Sequence, residues 1–161
     1  MEPDTTVTSI GIHRYTVSCA WQGSTGAGYD AYDRSHKADA LPAEEKLCLS
    51  SDPAFRGNPE FLNPEQLLVM SAASCQLLSF LAVAARARID VVDYRDDAEG
   101  EMPEDEQPKR VTRITLRPRI TVRGDVREDR IRHLVEVGHR ECFIANSLKT
   151  DVVVEPKVAI V

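Results

Sequence analysis

Two cysteines in different chemical settings stand out in the 161-residue chain. Cys75 lies inside Asn63–Phe80, "NPEQLLVMSAASCQLLSF", the most apolar stretch, and Cys142 follows 67 positions later in "HRECFIANSLKTD". A cysteine is a nucleophile only as its thiolate, and a thiolate at neutral pH requires a nearby cation or the N-terminal end of a helix. Taken alone, either cysteine reads as a small core residue, since cysteine is among the most buried side chains. By position, Cys142 is the one near a helix start. Cys75 falls in a helix interior, gains nothing from the dipole there, and needs a guanidinium brought from elsewhere. Cys19 in "TVSCAW" and Cys48 in "KLCLS" read as core residues of strands. There is no CxxC, which counts against zinc-ribbon and thioredoxin chemistry. His13, His36, His133 and His139 share no ligand spacing with the cysteines, and His133 and His139 fall on different faces of a helix, so no metal site is expected.

The element carrying Cys75 is well specified. Asn63 fits an N-cap, Pro64 fits N1, Gln66 at N3 completes a capping box, and Leu62 with Leu67 form a hydrophobic staple. The helix is expected over residues 63–89. From Gln66 to Ala85 it carries no charge over 20 residues, which is membrane-spanning length. Gln66, Ser71, Ser74, Gln76 and Ser79 interrupt that run, so a buried helix in a soluble protein is expected, with no membrane partner. Being apolar on nearly every side, it must be covered on nearly every side. One small sheet covers one face. The other face points to a second copy of the chain, a homodimer with this helix at its centre. The alternative is a lone central helix wrapped by its own chain.

The remaining segments read as a single domain over residues 1–161. Residues 1–62 form an N-terminal β-meander and loop, and 90–124 a β-hairpin. Residues 125–149 are helical, with Asp125 as N-cap and Ile131, Leu134, Val135 and Gly138 as the apolar stripe. Residues 150–161 close the chain as a strand. In the hairpin, Ile114, Leu116, Ile120 and Val122 share one face, and Arg113, Arg117, Arg119 and Arg123 the other. An acidic turn region with Asp96, Asp97, Glu99, Glu101, Glu104, Asp105 and Glu106 would balance the arginines on a solvated face. The class is α+β: an antiparallel sheet with a long central helix and a second helix on one side. A formal charge of −6 argues against nucleic acid as partner. The opening "MEPDTTVTSI" has no apolar signal region, so a cytoplasmic protein with reduced thiols is expected.

The pattern "NPEQLLVMSAASC", then "CFIANSLK" and a valine-rich terminal strand, resembles the OsmC/Ohr family, the osmotically inducible protein C and organic hydroperoxide resistance proteins. The resemblance implies an intertwined homodimer with two central helices wrapped by sheets. It also implies a cysteine-based peroxidase for organic hydroperoxides, acting in oxidative or osmotic stress defence, with no metal or organic cofactor. It assigns Cys75 as peroxidatic and Cys142 as resolving, opposite to the dipole reading. Glu65 matches the glutamate that orients a thiolate-activating arginine. Ten helical residues span about 15 Å, so Glu65 would serve Cys75 from the partner subunit. The family carries its arginine in a glycine-flanked loop near the N-terminus. This chain has no such Gly-Arg motif, and Arg34 in "YDAYDRSHK" is the candidate, followed by Arg14 and Arg56. The other reading of Arg34 is a surface ion pair with Asp30 or Asp33. By the same resemblance, a dithiol such as dihydrolipoamide returns the oxidised thiols to their reduced form. Leu67, Met70, Leu78 and Phe143 are expected to wall a pocket for small apolar hydroperoxides. Two further readings stay open: an OsmC-like dimer binding a small apolar ligand, and a redox-responsive protein with little turnover.

Overall fold

The computed structural model describes residues 11–161, and the acidic opening segment Met1–Ile10 lies outside them. The chain divides after Leu62 into two compact units.

The first unit holds three short antiparallel strands, β1 (Ser18–Ala20), β2 (His36–Asp39) and β3 (Lys46–Leu49), in the order β1-β2-β3. This is the expected meander, with Cys19 opposite Ala38 and Cys48 opposite Lys37. Both cysteines are exposed, which corrects their reading as core residues. Their strands have the composition of a sheet with a buried face, but in β1 and β3 only Leu49 is buried. A single 3-10 turn, Pro53–Phe55, follows; Asp52 caps it by accepting from the Ala54 N–H at 2.7 Å.

The second unit begins with α1 (Pro64–Arg86). Its start is as the sequence specifies. The Asn63 side chain accepts from the Gln66 N–H at 2.8 Å, and the Gln66 carbonyl oxygen accepts from the Asn63 N–H at 3.0 Å. Its end comes three residues before the expected Ile89. Arg88 takes a left-handed backbone (φ 59) and the Ile89 N–H reaches back to the Ala84 carbonyl at 2.9 Å, which closes the last turn.

The expected hairpin is four strands: β4 (Asp90–Asp96), β5 (Glu99–Glu101), β6 (Arg113–Leu116) and β7 (Pro118–Arg123). The alternation holds across the break at Arg117, with Ile114, Leu116, Ile120 and Val122 all buried. The arginine face is neutralised as expected. Arg119 pairs with Asp97 and Arg117 with Glu99, and Arg113 and Arg123 find Asp151 and Asp90. The second helix, α2 (Glu128–Arg140), starts after Arg127 rather than Asp125 and has no side-chain cap. The short α3 (Phe143–Ser147) follows, capped by Cys142.

The terminal segment is two strands rather than one, β8 (Asp151–Val154) and β9 (Lys157–Ile160). They run parallel to β6 and β7, giving mixed sheets β5-β6-β8 and β4-β7-β9 instead of a purely antiparallel one. The reason is connectivity: α2 and α3 carry the chain back to the end where β6 and β7 began, and a helical crossover delivers a parallel strand.

The core of this unit has two parts. Phe80 and Ala84 of α1 pack with Ile131 and Val135 of α2 over Ile120 and Val122. Ala72 packs with Val111, Ile114 and Leu116, flanked by Ile144 and Leu148. Each fully buried large side chain contributes about 1.5–3 kcal/mol. The two helices approach closely because position 138 is glycine: a Cβ there would lie 3.0 Å from the backbone N and Cα of Phe80.

Candidate active site

Cys75 sits midway along α1, and Cys142 at the turn between α2 and α3. The packing of α1 on α2 and α3 brings the two thiols close enough that each shifts the ionisation of the other. Their burial differs. Cys142 is fully buried and Cys75 half-exposed.

Their ionisation differs too, and it corrects the dipole argument. Burial pushes the Cys75 thiol up, but the Ile144 N–H, the Cys142 thiol, the Phe143 N–H and the Ser79 hydroxyl together outweigh it and hold the pKa below the ordinary thiol value. Burial likewise pushes Cys142 up, and the thiol it offers to Cys75 adds to the shift, against the Ala145 N–H on its own sulfur. The α3 backbone that Cys142 caps thus points its first free N–H groups at Cys75. A helix interior gains nothing from its own dipole, but Cys75 gains from a neighbouring helix.

Cys75 opens onto a groove of about 520 Å³ lined by Leu78, Ser79, Ala82, Arg86, Glu141, Phe143 and Asn146. Of the four expected walls, Leu78 and Phe143 are there, while Leu67 and Met70 line a different part of α1. Cys75, Ser79, Ala82 and Arg86 follow one helical face, so the i, i+4, i+7, i+11 spacing already contained this lining. Arg86 pairs with Glu141 at 2.7 Å across the groove. Tyr94, packed on Phe80, keeps a buried hydroxyl without a partner. Burial first, then the charges of Asp96 and Cys142, push its pKa up.

The OsmC-like protein family model matches residues 57–157, a span that contains both thiols and the groove. The chain belongs to the OsmC-like family. Its fold closely follows an OsmC-like protein of unknown function from Vibrio cholerae, at 26% identity and TM-score 0.81, covering 91% of this chain and all of that one. An OsmC-like protein from Mycoplasma pneumoniae shares the fold at TM-score 0.72 and 15% identity, covering 91% and 98% of the two chains. The organic hydroperoxide resistance protein of Bacillus subtilis shares it at 0.62 and 17%, with the same coverage. No curated protein matches the sequence.

Two of the expected site residues of this OsmC-like protein lie elsewhere in the chain. Glu65 is half-buried in the first turn of α1, ten positions from Cys75 and too far along one helix to touch it. Arg34, in the first unit, makes no pair with Asp30 or Asp33. Its guanidinium donates to the Tyr29 and Tyr32 carbonyls at 2.6 and 2.9 Å and lies 4.6 and 4.0 Å from the centroids of those two rings. Asp30 instead pairs with Arg56 at 2.6 Å, and Asp33 accepts from the Ser35 N–H at 2.8 Å. Arg14 is exposed. Among the described residues no group of His, Cys, Asp and Glu could hold a metal ion.

Proposed function

We propose that this OsmC-like protein is a two-cysteine peroxidase for organic hydroperoxides. One observation carries the reading: a half-exposed thiol with a lowered pKa, at an open and largely apolar groove, in contact with a second, buried thiol. The Cys75 thiolate attacks the distal oxygen of ROOH. The O–O bond breaks, Cys75 becomes a sulfenic acid, and the alkoxide leaves as ROH after taking a proton. The Cys142 thiol then condenses with the sulfenic acid, forming the Cys75–Cys142 disulfide and releasing water. A dithiol restores both thiols by exchange and is itself oxidised to its disulfide. The apolar walls Leu78, Ala82 and Phe143 favour an alkyl or aryl group beside the thiolate over hydrogen peroxide.

The working unit on this reading is a homodimer in the cytoplasm. Its support is the outward face of α1, where Met70, Leu78 and Leu81 are 45%, 62% and 37% exposed. The helix is long and apolar enough to cross a membrane, but its other face already packs on α2 and the sheets. A second copy covers the open face. That copy would bring its Glu65, and an arginine, for which Arg34 is the candidate, to Cys75. A protein that stays monomeric on dilution while keeping full activity would end the dimer reading.

The decisive experiment adds one equivalent of cumene hydroperoxide to the reduced protein and follows intact mass, free thiols and the peptide map. Loss of two thiols per chain with a Cys75–Cys142 link supports the proposal. Survival of all four thiols sinks it and turns attention to the groove as a site for a small apolar ligand.

A further inference from the structure

Next to Cys75 in the sequence stands Gln76, an amide in the middle of a largely apolar helix, and it is fully buried. A buried amide is tolerated when both its ends are paired. The Gln76 Nε2 donates to the Val135 carbonyl of α2 at 3.3 Å, and its Oε1 faces the Nδ1 of His139, also of α2, at 3.3 Å. The Val135 carbonyl can only accept, so the amide orientation is fixed. The Gln76 oxygen must then be the acceptor, which places a proton on His139 Nδ1. His139 in turn connects to the other cysteine: its carbonyl accepts the Cys142 N–H at 3.1 Å.

These contacts form a closed circuit. Gln76 is the chain neighbour of Cys75; it binds the His139 ring; the His139 carbonyl binds the Cys142 N–H; and Cys142 lies beside Cys75, near enough to shift its ionisation. Gly138 lets α2 press against Phe80 beside this circuit, so the two helices are held by apolar contact and fixed in register by the amide. Hydrophobic packing alone tolerates small slips along a helix, whereas a bifunctional buried amide does not.

We propose that Gln76 and His139 are positioning residues that hold the Cys142 thiol against Cys75 and so set how readily the disulfide closes. The proposal rests on the reading of Cys75 and Cys142 as a redox pair. Neither residue touches the reacting atoms. Their contribution is the effective concentration of one thiol at the other, which small misplacements reduce steeply.

The test uses the full-length protein in glutathione redox buffers, with the Cys75–Cys142 disulfide quantified by peptide mapping at equilibrium. Gln76→Met keeps the volume and removes both bonds. His139→Leu removes the ring donor, and His139→Asn keeps an N–H near the Nδ1 position. Gln76→Met and His139→Leu should each lower the effective concentration about tenfold, while His139→Asn recovers most of it. In a Cys142→Ala background, where no second thiol acts on Cys75, adding Gln76→Met or His139→Leu should leave the rate of Cys75 alkylation within about twofold, a split that a general loss of structure would not give. After one equivalent of cumene hydroperoxide, the slow variants should accumulate Cys75 sulfenic acid that dimedone traps. If Gln76→Met does not fold, the two variants at the half-buried His139 decide the matter. An unchanged effective concentration in folded His139→Leu overturns the proposal, as does a loss that His139→Asn shares. If the parent ignores hydroperoxide yet the glutathione equilibrium responds as described, the peroxidase reading fails and this one stands.

Discussion

The four cysteines form two pairs with opposite properties. Cys75 lies on α1 and Cys142 in the turn between α2 and α3, one half-exposed and one buried, each shifting the other's ionisation. Cys19 and Cys48 are both exposed, on β1 and β3. Accessibility therefore does not mark the chemistry here. What distinguishes the first pair is the set of donors around one sulfur: two backbone N–H groups, a hydroxyl and a thiol. The second pair cannot act together. β2 separates its strands, so the cysteines are about 10 Å apart, beyond disulfide reach. They also oppose adjacent residues of β2, Ala38 and Lys37, which places them on opposite faces of the sheet.

The sharpest way to break the contrast is Cys75→Ser. It should lower hydroperoxide consumption about a thousandfold or more, because an alcohol at this position has no usable anion. Peroxide consumption measured against an added dithiol checks it. Retention of most of the activity would move the chemistry to another cysteine.

The pH dependence comes next. The Cys75 pKa lies below the ordinary thiol value of 9.0, so its thiolate fraction, and with it the rate of attack on hydroperoxide, should rise with pH and level off before an ordinary thiol is half ionised. Cys142→Ala removes one donor to the thiolate and should move that midpoint upward. Ser79→Ala should move it in the same direction by less. Alkylation rates against pH read both. A midpoint unmoved by Cys142→Ala would mean that the two thiols do not share a proton in solution.

A smaller effect is expected at the helix crossing that makes the first pair a pair. Gly138→Val places a branched side chain 3.0 Å from the Phe80 backbone, where no flexible group can yield. Overpacking of this kind costs about 1–3 kcal/mol. Thermal unfolding should show that loss, and disulfide closure should slow along with it. Unchanged stability would mean that α1 and α2 are free to shift, and that their register is not what holds the thiols.

Much of this was legible in the sequence, for reasons that differ by residue. The α1 start could be read because a capping box is local: Asn63, Pro64 and Gln66 need no tertiary information. The two-faced hairpin could be read because alternation survives the break at Arg117. The parallel placement of β8 and β9 could not, since the direction of a terminal strand is set by the crossover before it. At the site, the resemblance to the OsmC/Ohr family singled out both thiols, which the residues alone left as core cysteines. The donors to Cys75 stayed hidden, because Phe143 and Ile144 act through backbone N–H groups that carry no side-chain signature. Gln76 looked like an interruption of an apolar run. Its role depends on where His139 falls on a different helix, and periodicity within one helix cannot supply that. The groove lining of Ser79 and Arg86 was within reach of the face spacing.

The smallest expected effect tests the other half of the comparison. Cys19→Ser and Cys48→Ser, singly or together, should leave hydroperoxide turnover and the Cys75–Cys142 equilibrium unchanged, with stability within about 0.5 kcal/mol. The grounds are geometric. Each thiol is already in contact with solvent, so replacing sulfur by oxygen neither opens a cavity nor strands a buried polar group. Neither can reach the other across β2. A null result in turnover with a clear loss in thermal stability would be informative in its own right. It would mean that the open sheet of the first unit is covered in solution, since only burial makes a hydroxyl at these positions costly. The two cysteines would then report on assembly rather than on chemistry, and the loss should deepen on dilution if the cover is a second copy of the chain.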